Sequence, residues 1–149
     1  MSKYTAKANT NECLTLEDSE GSFGDLITVK TKNKTKKEMI DEIRSSQGSW
    51  MEKFPDLHDT DKKIDMAIVV YRRVGYLKRQ DLDNIAKVVL DALKGYLFGD
   101  DSQIVRLLLV KKEAELLAGY DTDSLVISFR IHDPERDMIL INEKNNGTW

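Results

Sequence analysis

Residues 79–104 read RQDLDNIAKVVLDALKGYLFGDDSQI, and the organisation of the chain can be worked outward from them. Ile85, Val88, Val89, Ala92, Leu93 and Tyr96 recur at i, i+3, i+4, i+7, i+8 and i+11, an apolar stripe of helical period. The opposite side carries Asp83, Asn84, Lys87, Asp91 and Lys94. Asp81 or Asp83 can cap the first turn by accepting from its free N–H groups, and acidic charge there suits the helix dipole. Gly95 and Gly99 bracket the exit, as glycine commonly does past a helix end. The spacing predicts a helix of about three turns that buries one face and starts from a knot of acids.

Strand-like segments flank this helix. Lys62–Arg73 reads KKIDMAIVVYRR, the strongest strand pattern in the chain, and its unbroken AIVVY predicts burial on both faces. Ser102–Glu113 is a second long strand, so a strand–helix–strand crossover is expected. Leu125–His132 alternates cleanly, which leaves His132 at a surface strand end, and Leu26–Lys32 (LITVKTK) alternates as well. A short strand over Cys13–Leu16 is a further expectation. Lys34–Lys53 reads as one helix through Met39, Ile40, Ile43 and Trp50, opened by a capping box from Thr35 to Glu38. Phe54–Thr60 is a loop and Leu117–Ser124 a hairpin turn, so Asp59-x-Asp61 and Asp121-x-Asp123 are turn chemistry. The expected fold is mixed α+β: one small domain of three to five strands with two principal helices packed on the sheet. Residues 1–25 form a weakly ordered acidic leader, 26–134 the domain, and 135–149 a tail.

At 149 residues the chain can bury a real core. Hydrophobic content of 40% beside 33% charged residues is ordinary for a water-soluble protein. No apolar run approaches the roughly 18 residues that span a bilayer, so no membrane partner is expected. The opening MSKYTAKANTNE lacks a secretory apolar core. A single cysteine, Cys13, rules out an internal disulfide and fits a reducing cytoplasm.

Net charge is −3, but its distribution matters more than its sum. Between residues 27 and 53 seven basic residues face four acids, and between 62 and 79 six face Asp65 alone. Lys32, Lys34, Lys36, Lys37, Arg72, Arg73, Lys78 and Arg79 therefore make a basic approach to the acidic helix start, suited to a polyanion. The plain alternative for KTKNKTKK is a solvated strand and turn. Tyr76 could stack on an exposed base, although a packed tyrosine is the commoner case.

Asp81 and Asp83 share a side if the backbone there is extended. A tight return after the helix could bring Asp100 or Asp101 beside them. Three acids with no His or Cys nearby select a hard cation such as Mg²⁺ or Mn²⁺ over zinc. Lys87, one turn after Asp83, could hold a phosphate oxygen or neutralise developing charge. These are the parts of a metal-assisted phosphoryl-transfer or phosphodiester-hydrolysis site. Taken singly, each acid pair is more simply a cap or a loop. An EF-hand is excluded, because counting from Asp81 its glycine and glutamate positions hold Ala86 and Ala92.

Asp81-x-Asp83-Asn84, Lys87, Asp91-Ala92-Leu93 and Asp100-Asp101-x-Gln103-Ile104 together resemble the signature of the RusA-type Holliday junction resolvases. These are small, dimeric, Mg²⁺-dependent endonucleases of DNA recombination and repair, frequently encoded by phages and prophages. The resemblance implies that Asp81, Asp83 and Asp101 bind the metal, with Mn²⁺ as a substitute, and that Lys87 is needed for cleavage. Asn84, Asp91, Asp100 and Gln103 match as supporting residues. It implies a homodimer acting on branched DNA, the four-way junction. The family often begins with a Pro-rich, Asn-containing strand and turn, and here an acidic leader and a Lys-rich segment stand instead. Two other readings follow from the residues: a non-catalytic branched-DNA-binding protein, and a Mg²⁺-dependent phosphohydrolase of a small substrate.

Overall fold

The computed structural model describes residues 16–79, 81–113 and 123–136. In chain order the elements are β1 (Glu17–Asp18), β2 (Gly21–Ser22), β3 (Leu26–Lys30), α1 (Lys36–Ser46), α2 (Gly48–Lys53), β4 (Ile64–Arg72), α3 (Leu82–Leu93), β5 (Ile104–Glu113) and β6 (Ser124–Ile131). The main sheet has the order β3-β6-β4-β5, and β1 with β2 makes a separate hairpin. β4 runs parallel to β5, with Ile64 opposite Ile104, and both β4 and β3 run antiparallel to β6. The fold is mixed α+β, with the expected β4–α3–β5 crossover in place.

β4 is central, and Ile64 through Tyr71 are all buried. Its alternate residues Ile64, Met66, Ile68 and Val70 pack under Ile43 of α1, Trp50 of α2 and the stripe of α3. The other face holds Val69 and Tyr71 with Leu26 and Val126, against Leu16 and Val110. On that face β1–β2, within the acidic leader, meets β4, β5 and β6 through ion pairs. Arg130 donates to Asp18 from both terminal nitrogens (3.0 and 2.9 Å) and to Asp65 from Nε (2.9 Å). Arg106 pairs with Glu20 at 2.6 Å.

Several expectations need correction. The segment 34–53 is two helices, because the Ser45 and Ser46 hydroxyls both donate back to the Glu42 carbonyl and Gly48 follows. Serine back-bonding and glycine both weaken helix continuity. The Thr35–Glu38 capping box is present. Tyr96 leaves the α3 stripe: the helix stops at Leu93, Tyr96 is exposed under the Arg44 guanidinium, and Leu97 and Phe98 fill the core instead. His132 is not a surface residue, since Nδ1 lies 2.8 Å from the buried Asp65 carboxylate. Cys13, most of the Cys13–Leu16 strand, the turn at 117–122 and the tail beyond 136 lie outside the described residues. Among the described residues no helix is long and apolar enough to cross a membrane.

Candidate active site

The α3 start is built as its sequence demands. Asp81 is the cap, with extended backbone, and its Oδ1 accepts from the Asp83 N–H at 3.1 Å. The Asn84 amide donates to Asp81 Oδ2 at 3.3 Å, which orients the carboxylate. Because α3 already begins at Leu82, Asp81 and Asp83 are related by a helix entry and not by strand alternation. Both are exposed, and Lys87 is exposed one turn further on. The Asp83 carboxylate has no hydrogen bond or ion pair among the described residues.

Asp100 and Asp101 sit in a different structural setting. Asp100 caps the short 3-10 turn Asp101–Gln103, its Oδ2 accepting from Ser102 N–H at 3.1 Å. Hydrogen bonds from Ser102, with the Lys94 ammonium 3.5 Å away, hold the Asp100 carboxyl below its usual value. The Asp101 carboxylate is exposed and, like that of Asp83, makes no bond among the described residues. Gln103 is wholly buried, its amide joining the Gly99–Asp100 backbone to carbonyls of residues 57–62.

The parallel register separates these two groups of acids. Lys30 and Tyr71 both lie opposite Ser124, so the chain leaves β3 and β4 at the same end of the sheet. The Lys-rich turn after β3 and the segment Arg72–Asp81 after β4 therefore share that end. Ile104 pairs with Ile64, so Asp101 lies at the other end, where β4 begins. The 12 residues of α3 lie between, a length of about 18 Å at 1.5 Å per residue. The return after α3 does not bring Asp100 or Asp101 back to Asp81. Among the described residues no three His, Cys, Asp or Glu side chains form a group that could hold a metal ion. Within one chain the donors are of the right chemistry for a hard cation, oxygen only and solvent-facing, but they are divided between two ends.

The basic residues also divide. Lys32, Lys37 and Lys78 are exposed. Lys34 pairs with Glu42, and Lys36 approaches Asp91 at 3.8 Å, which gives Asp91 a structural partner. Arg72 is tied at 3.0 Å to Asp123, whose other oxygen accepts from Arg73 N–H, so this aspartate is more than turn chemistry. The Arg73 guanidinium lies over the Tyr76 ring at 4.0 Å and covers one of its faces. Arg79 closes the 3-10 turn Leu77–Arg79. Asp65 is the lone acid inside an apolar strand, a sequence signal of a buried partner, and one partner it finds is His132.

The family model described as Endodeoxyribonuclease RusA matches residues 26–119, which include Asp81, Asp83, Asp91, Asp100 and Asp101 with Lys87 and Gln103. No curated protein matches the chain.

Proposed function

Because this chain belongs to the RusA endodeoxyribonuclease family, we propose that it is a Mg²⁺-dependent endonuclease resolving four-way DNA junctions in recombination and repair, working as a homodimer in the cytoplasm. The observation that carries this reading is the pairing of the exposed Asp83 carboxylate, which has no partner among the described residues, with a basic sheet end. Asp83 at the α3 start has Lys32 on the turn after β3, Lys37 in the first turn of α1 and Lys78 in the 3-10 turn after β4 at its own end of the sheet, where the arms of a polyanion can rest.

A homodimer also answers the division of the acids. β5 is an edge strand whose outer side pairs with nothing described, and Val105 and Leu107 on it are exposed. Such an edge is a template for a further strand. Two β5 edges meeting antiparallel about a two-fold axis would carry the Asp101 end of each copy to the Asp81–Asp83 end of the other. Two equivalent sites would then face the two strands cut in a four-way junction.

Asp81, Asp83 and the partner's Asp101 would hold the cation. Bound there, Mg²⁺ would lower the pKa of a coordinated water and draw charge from the scissile phosphate. Asn84 keeps the Asp81 carboxylate turned toward the α3 start. Lys87, on the exposed face after Asp83, would neutralise charge building on the phosphate oxygens. The test is cleavage of a labelled synthetic four-way junction beside a linear duplex, with and without Mg²⁺, by wild type and Asp83→Asn. Junction-selective nicking that needs both Mg²⁺ and Asp83 is expected. Metal-independent binding without nicking would instead make the chain a branched-DNA-binding protein.

A further inference from the structure

We propose that Gln103 is the positioning residue for Asp101, holding the turn that presents this carboxylate to the metal; this rests on the reading of Asp101 given above. A glutamine just ahead of an apolar strand is costly to bury unless every polar atom is paired. Here Oε1 accepts from Gly99 N–H (2.8 Å) and Asp100 N–H (2.9 Å), one for each lone pair. Nε2 donates to the carbonyls of Leu57 (2.9 Å), Asp59 (3.0 Å) and Lys62 (3.0 Å). Leu57 is itself buried in the main core, so the anchor is rigid.

The turn is fixed from both sides. Gln103 N–H donates to the Asp100 carbonyl at 3.0 Å, and the Asp100 carboxylate accepts from Ser102 N–H. At Gly99 a Cβ would stand 2.6 Å from the His58 carbonyl oxygen, so the two loops touch through backbone. Asp101 is flanked by this fixed frame, while its own carboxylate stays exposed and uncommitted. Of the two acids Asp101 is the one whose carboxylate has no partner among the described residues, and Gln103 sets where it stands. Partners that orient a metal ligand typically account for 10–100-fold in metal affinity.

Mn²⁺ binding to the full-length protein without DNA, followed by titration calorimetry, separates this role from general support of the fold. Gln103→Met keeps the length and removes both polar ends. We expect it to fold, to melt at a lower temperature and to bind Mn²⁺ tenfold to a hundredfold more weakly, with junction affinity in EDTA unchanged. Should it fail to fold, Gln103→Asn, which keeps the amide but falls one methylene short, is judged by the same standard. Mn²⁺ affinity within twofold of wild type in the folded variant, while Asp101→Asn loses binding, would overturn the proposal. Wild-type Mn²⁺ affinity and cleavage in Asp101→Asn would overturn it differently, by removing the role of Asp101 on which it rests.

Discussion

Arg130 grips Asp18 with both terminal guanidinium nitrogens, at 3.0 and 2.9 Å, and so fastens the β1–β2 hairpin to the sheet 112 residues away in sequence. The same guanidinium holds the buried Asp65 and lies over the Phe23 ring at 4.1 Å. Among the described residues, Arg130→Leu leaves Asp18 with Arg106 alone as its cation, at 3.4 Å, and the buried Asp65 with His132 alone. Breaking a buried pair from one side costs about 3 kcal/mol or more. Urea unfolding should show a loss of that order, and no loss would mean that the network is dispensable.

This network also sets an acid limit. Burial raises the Asp18 carboxyl, but hydrogen bonds from Arg130 and the Glu20 N–H, with the charges of Arg130 and Arg106, outweigh it and hold the group below the ordinary 3.8. A depressed folded-state value means stability present above pH 3.8 and lost as pH falls through the folded value. Below about pH 4 the urea midpoint should therefore drop more steeply for wild type than for Asp18→Asn. Parallel curves for the two proteins would contradict this.

Lys87 is exposed and can be removed without disturbing the core. Lys87→Ala should lower the rate of junction cleavage by roughly 10²–10³-fold, with junction affinity within a few-fold of wild type. A matching loss of binding would make Lys87 a phosphate anchor and not a stabiliser of the transition state.

The basic residues should separate by experiment as they do in the structure. Replacing Lys32, Lys37 and Lys78 with Ala should weaken junction binding and reduce its salt dependence by about 0.9 per lost contact. Arg72→Ala should act mainly on stability, by about 1–3 kcal/mol, because it strands the buried Asp123 carboxylate. An unchanged melting temperature for Arg72→Ala would show that the pair contributes little.

Much of this architecture was legible because it depends on short-range patterns. The α3 stripe, the Asp81 cap, the Thr35–Glu38 box and the double burial of β4 each follow from residues within a few positions of one another. What depended on long-range register was not legible. Which end Asp101 occupies follows from Ile64 pairing with Ile104, forty residues on, and no local pattern announces that parallel match. Asp123 capturing Arg72, and His132 joining Asp65, are likewise encounters between distant strands. The helix break at Gln47 had a local cause in Ser45, Ser46 and Gly48, which the apolar spacing of Ile43 and Trp50 obscured.

The composite site can be tested by mixing two inactive proteins. Asp81→Asn and Asp101→Asn should each fail to cut a four-way junction in Mg²⁺. Unfolded together and refolded as mixed dimers, they should regain nicking, because one of the two sites then holds Asp81 from one copy and Asp101 from the other. A mixture that stays inactive, while refolded wild type cuts and the mixed dimer is shown to form, would place all the acids of a working site in one chain and contradict the account.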